Sequence, residues 1–146
     1  SGGDHRDVPS FPTGGTAGLG RSAGARIRAV GRDGLSLCWE PGNSARAGAP
    51  SPLQEYAGLA DLVTHVHLKN FAPENSDWSL MDTGVVDWAG QLGALATDGY
   101  TGYLVIETHT TVEPDGVEPS IDTGETLAPL EANTLRNLHH TRALLA

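Results

Sequence analysis

The side chains in this sequence that could share one piece of chemistry are Glu40, His65, His67, Lys69, Glu107 and His109. His65, His67 and Lys69 fall in Thr64-His65-Val66-His67-Leu68-Lys69-Asn70. If this stretch is extended, Val63, His65, His67 and Lys69 share one side while Thr64, Val66 and Leu68 share the other. A polar face carrying two imidazoles and an ammonium just before a loop reads as the mouth of an active site. A surface antiparallel strand with a solvated outer face is the competing reading. Glu107 ends the apolar run Tyr103-Leu104-Val105-Ile106, where a carboxylate is costly unless it is paired or metal-bound.

Glu40, His67 and Glu107 together form a carboxylate, imidazole, carboxylate set able to hold a divalent cation. Mixed oxygen and nitrogen donors suit Mn²⁺, Co²⁺, Zn²⁺ or Mg²⁺, with geometry left to choose among them. Lys69 would neutralise a substrate oxygen or phosphate, or else pair with Glu40 or Glu107. His109 would hydrogen-bond a ligand hydroxyl, and His65 would touch substrate or orient His67. Trp78 and Trp88 would wall the site, although Trp88 at a helix start serves equally as core. His139-His140 reads as a solvated helical pair.

The elements that must position these groups alternate. Leu35 to Glu40 reads as a strand with Leu35, Leu37 and Trp39 opposed to Ser36, Cys38 and Glu40, stopped by Pro41-Gly42-Asn43. Ser51 as N-cap and Pro52 at the first helical position start a helix over Leu53 to Leu62. The His65–His67 strand follows, then a loop from Phe71 to Val85, then a helix from Trp88 to about Asp98 capped by Asp87 and closed by Gly99. A third strand spans Tyr103 to Thr108. A loop containing Pro114, Gly116 and Pro119 leads to a last helix from about Leu130 to Leu145. Strand, helix, strand, helix, strand, helix with long connections predicts an α/β fold with a parallel sheet. Active sites of such sheets gather at the carboxyl ends of the strands, where Glu40, His67 with Lys69, and Glu107 with His109 all fall.

Residues 1–30 form a Gly-rich N-terminal segment, expected to be poorly ordered or a short helix over Ala23 to Val30, with Gly24 weakening it and Gly31 ending it. Residues 31–146 make up the remainder. The chain's length predicts one domain. A net charge of −9 with nine basic residues disfavours a nucleic-acid face but not a metal or small ligand. The single cysteine, Cys38, forbids an internal disulfide and reads as a reduced thiol in a strand, which fits a cytoplasmic protein. Neither a membrane-spanning run nor a signal pattern is evident, so no membrane partner is expected.

Four segments in order carry a family likeness: Leu35-Ser-Leu-Cys-Trp-Glu-Pro-Gly-Asn43, His65-Val-His-Leu-Lys-Asn70, Asp82-Thr-Gly-Val-Val-Asp-Trp88, and Gly99-Tyr-Thr-Gly-Tyr-Leu-Val-Ile-Glu-Thr-His109. They resemble the carboxyl-terminal half of the sugar phosphate isomerase/epimerase family, whose fold is the xylose isomerase-like TIM barrel. The resemblance implies a partial (β/α) barrel made of the last three βα units. In it Glu40 stands where the family usually has an Asp metal ligand, His67 matches the ligand histidine of the seventh strand, and Glu107 matches the ligand glutamate of the eighth. Lys69 matches the family lysine, and Asn70 replaces the usual Asp. The resemblance further implies that Glu107 acts as proton-transfer base beside the carbonyl of a sugar or polyol-derived ketone, with Lys69 assisting and a divalent metal stabilising the enediolate oxygen.

A barrel of this type needs about 250 residues. The family's fourth ligand would fall near Gly2-Gly3-Asp4-His5, where Asp4 is a poor substitute. The expectation is therefore a fragment, a truncated product or a homo-oligomer that completes the barrel. The alternative function is a non-catalytic binding or assembly module that keeps the scaffold. A metal-dependent DNA hydrolase is disfavoured by the acidic charge.

Overall fold

The computed structural model describes residues 19–31, 34–110 and 128–146. The Gly-rich stretch before residue 19 and the loop expected around Pro114, Gly116 and Pro119 lie outside the described residues. The elements in order are helix α1 (Leu19–Val30), strand β1 (Leu37–Trp39), helices α2 (Pro41–Arg46) and α3 (Pro52–Ala57), a 3-10 turn (Ala60–Leu62) and strand β2 (Val63–Leu68). A hairpin of β3 (Asn70–Ala72) and β4 (Asp77–Ser79), helix α4 (Trp88–Thr97), strand β5 (Tyr103–Ile106) and helix α5 (Pro129–Leu145) complete the chain.

β1, β2 and β5 form a three-stranded sheet in the order β1-β2-β5, with both pairings parallel. The sheet and its helices make a partial TIM barrel. β2 forms where the sequence alternates: Val66 and Leu68 are fully buried under the helices, while His65 and His67 face the other way. Leu37 and Trp39 of β1 join the same core, together with Tyr56, Leu59, Leu62, Trp88, Leu92 and Leu95. Trp88 is core and not a wall of the site, at 2% exposure. Its buried indole packs where α4 begins, after Asp87 caps that helix by accepting from the Gly90 N–H at 2.9 Å.

β1 and β5 are shorter than the expected Leu35 to Glu40 and Tyr103 to Thr108, and four further places differ from the sequence reading. Pro41-Gly42-Asn43 ends β1 as expected but also opens α2, since proline at a first helical position costs no hydrogen bond. The expected helix through Leu62 breaks at Gly58, whose N–H returns to Glu55 O, so only a 3-10 turn leads into β2. The stretch read as a loop from Phe71 contains the β3–β4 hairpin, paired antiparallel with Phe71 opposite Trp78. α1 begins at Leu19 and not Ala23. Gly24 does not weaken it in place: a Cβ there would lie 2.3 Å from Leu59 Cδ2, so the missing side chain is what lets α1 press onto the core.

Two polar arrangements hold the periphery. Asn70, fully buried, accepts from the N–H of Phe71 (2.9 Å) and of Val86 (2.8 Å) and donates to Met81 O (2.9 Å), fastening both ends of the excursion between β2 and α4. α5 docks through buried asparagines: Asn137 accepts from the Met81 N–H at 2.9 Å and Asn133 donates to Thr110 O at 3.0 Å. No helix among the described residues is long and apolar enough to cross a membrane.

Candidate metal and proton-transfer site

Parallel pairing with His67 opposite Val105 and Cys38 opposite His65 brings the carboxyl ends of β1, β2 and β5 side by side. Each chemical residue lies at or just past such an end. Glu40 is the residue between β1 and α2, Lys69 follows β2, and Glu107 follows β5 with its N–H bonded to Leu68 O at 3.0 Å. Strand alternation then turns His65 and His67 of β2, and Tyr103 and Val105 of β5, away from the helices.

His67 Nδ1 stands 2.9 Å from Glu40 Oε1 and 3.3 Å from Glu107 Oε2. Neither contact lies along an N–H direction, so Nδ1 is a buried nitrogen without a hydrogen bond, aimed at two carboxylates. Electron-rich atoms crowded in this way call for a positive charge between them. Lys69 supplies one: its Nζ lies 2.6 Å from Glu107 Oε2 and 3.1 Å from Glu40 Oε2, with only 6% of the side chain exposed. His109 Nε2 reaches Glu107 Oε1 at 2.9 Å. Asn43, on the first turn of α2, donates to Glu40 Oε2.

Burial is the largest influence on Glu107 and would raise its pKa. The hydrogen bonds from Lys69 and His109, with their charges, together outweigh burial and hold the carboxyl below its ordinary value. Glu107 is therefore ionised at neutral pH. At Cys38 burial comes first and the fields of Glu40 and Glu107 second; both push the thiol up, and Lys69 opposes them.

The sequence-derived candidates thus come together in one place. Glu40, His67, Lys69, Glu107 and His109 form a continuous chain of contacts. Trp78 joins them from β4, its ring 5.5 Å from that of His109 and 4.7 Å from Lys69 Nζ. His65 sits one step down β2, its ring edge-on to His67 at 5.2 Å and 6.5 Å from Tyr103. His139 and His140 lie on α5 and take no part in these contacts.

Three residues were not legible as site residues. Cys38 shares the face of Glu40, and its donor atom lies with those of Glu40 and His67 within 4.8 Å of one another. Alternation along Leu35–Glu40 was the available signal. Asn43 and Arg46 come from α2, the helix that the sequence did not announce. Arg46 places its guanidinium 4.8 Å from the Trp78 ring centre.

The donor set fits a divalent cation. An imidazole nitrogen without a hydrogen bond and a carboxylate oxygen at 2.9 Å are the kinds of atoms that first-row metals take, and Cys38 adds a softer donor.

A family model described as xylose isomerase-like TIM barrel matches residues 16–138. Among solved structures, the chain is similar to a xylose isomerase domain protein from Planctomyces limnophilus, with a TM-score of 0.59 and 23% identity. The match covers 86% of this chain and 42% of that one, so the chain spans less than half of that relative's length. At that identity the likeness speaks to fold alone. No curated protein matches.

Proposed function

This chain belongs to the xylose isomerase-like TIM barrel family, and from that membership we propose that its site serves a metal-dependent sugar isomerase or epimerase reaction. The reaction is proton transfer next to the carbonyl of a sugar or polyol-derived ketone. The observation that carries this reading is an ionised Glu107 held between Lys69 and His109, beside the buried, unbonded Nδ1 of His67.

Glu40 and His67, with Glu107 adjoining, are the residues that would hold a divalent cation, which when bound supplies polarisation of the substrate carbonyl. Glu107 takes the proton from the neighbouring carbon, and a base already ionised at neutral pH needs no prior deprotonation. Lys69, its ammonium held between Glu40 and Glu107, stabilises from that position the oxygen where negative charge gathers. His109 donates to a substrate hydroxyl, and Trp78 gives the apolar face of a sugar ring a flat wall. The chain matches less than half of its solved relative, so turnover is assigned to the barrel as a whole, completed by further barrel units or by a second copy.

Two measurements test the reading. Calorimetric titration of metal-free protein with Mn²⁺ and Zn²⁺ is expected to give saturable binding that His67→Ala abolishes. Proton NMR of a ketose panel in D₂O with the completed barrel and metal present is expected to show loss of the signal next to the carbonyl, slowed by about 10²-fold or more in Glu107→Gln. A folded protein that binds no divalent metal would discard the reading, as would exchange equally fast in the Gln variant.

A further inference from the structure

Cys38 lies on β1, on the face opposite the buried Leu37 and Trp39, and Glu40 follows two residues later, just past the end of the strand. The register that sets Cys38 against His65 brings the thiol alongside the imidazoles of β2. Its sulfur, a Glu40 oxygen and a His67 ring nitrogen lie within 4.8 Å of one another. In a tetrahedral site with a metal–sulfur distance of about 2.3 Å and metal–nitrogen of about 2.0 Å, donors stand roughly 3.5 Å apart, so the trio needs to close by only about 1 Å. Glu107 is differently placed, since both of its oxygens are engaged, one by Lys69 at 2.6 Å and the other by His109 at 2.9 Å. Glu40 Oε1 faces His67.

We propose that Cys38 is a metal ligand, coordinating beside Glu40 and His67 and turning the site toward metals that accept a thiolate, Zn²⁺ and Co²⁺, over Mn²⁺ and Mg²⁺. The inference rests on the metal-dependent reading above and deepens it by naming the metal class. As sulfur coordinates, its proton passes to solvent. A thiolate replaces a carboxylate as the third donor, and softer donors shift preference away from the oxygen-seeking ions. Glu107 is then left paired with Lys69 and His109, available as a base.

The test is a Co²⁺ titration of the full chain followed by absorption spectroscopy, with Cys38→Ser and His67→Ala in parallel and urea unfolding of each to establish that it folds. The wild type is expected to develop a near-ultraviolet sulfur-to-cobalt charge-transfer band that Cys38→Ser lacks. Zn²⁺ affinity should fall in Cys38→Ser by more than the ~10-fold typical of a change behind the ligands, while Mn²⁺ affinity stays near the wild-type value. As a measurement on the unaltered chain, bound Zn²⁺ should slow alkylation of Cys38 by iodoacetamide by about tenfold or more. Cobalt binding without the charge-transfer band, or alkylation unchanged by bound Zn²⁺, overturns the cysteine ligand and leaves the metal-dependent reading standing. No binding of Co²⁺, Zn²⁺ or Mn²⁺ to folded wild type overturns both.

Discussion

Lys69 carries the densest set of contacts at the site: two carboxylates at 2.6 and 3.1 Å and the face of Trp78 at 4.7 Å, all around a nearly inaccessible ammonium. Removing it takes away the cation between Glu40 and Glu107 and leaves them to Asn43 and His109 respectively. The carboxylates keep partial access to water, so the cost is that of partly buried groups. Lys69→Met is expected to lower stability by about 1–3 kcal/mol at pH 7, read as a shift of the urea midpoint. Adding Glu107→Gln to that variant should recover part of the loss, because one of the opposed charges is gone. An unmoved midpoint in the single variant would show that the bridge is electrostatically idle.

At the scale of elements, the site depends on how closely α2 approaches the end of β2. Gly42 makes that approach possible: a Cβ there would lie 2.9 Å from Lys69 O and 3.0 Å from Lys69 Cγ. The first of these is backbone held in place by the end of a buried strand and cannot swing aside. Gly42→Ala is expected to cost about 1–3 kcal/mol and to weaken divalent-metal binding, because α2 must retreat and takes Glu40 and Asn43 with it. Unfolding and calorimetry on one preparation would check both, and wild-type values for each would mean that α2 is free to adjust. Glu40, Asn43 and Arg46 all enter the site through this six-residue helix. The hairpin contributes Trp78, anchored by the Asn70 bonds described above, so the wall of the site depends on an asparagine where the resembling family carries an acid.

For the whole molecule, the sheet leaves one side unpacked among the described residues. Tyr103 is 79% exposed and Val105 is 39% exposed on the face opposite the helices, as expected of the inward face of a barrel only part of which is present. The packed side holds its own titrating group. Burial first, then the hydrogen bond and charge of Asp98, push Tyr56 up to about 12. A raised folded-state pKa favours the protonated form in the native state. Its stabilising contribution is complete below the unfolded value near 10 and is lost as pH rises through about 12. Wild type is therefore expected to lose stability faster than Tyr56→Phe between those two values in alkaline urea titrations, and parallel curves would contradict this.

Several features followed from local chemistry that no distant contact had to supply. Period-two alternation with β-branched and apolar residues defined β2, Ser51-Pro52 and Asp87 marked helix starts, and carboxyl-end placement of Glu40, His67, Lys69, Glu107 and His109 marked the candidate site. What stayed hidden was set by long-range packing. The close seat of α1 on the core depends on Leu59 lying where Gly24 has no side chain, a fact about residues far apart in sequence. α5 has only a modest apolar stripe, and its seat is fixed by Asn133 and Asn137 reaching Thr110 and Met81. Cys38 read only as a reduced thiol in a strand, the single cysteine of the sequence. Alternation sets its sulfur on the side of Glu40, but only the parallel register of β1 against β2 brings it to His67, since strand pairing decides which side chains of separate strands share a metal-sized space.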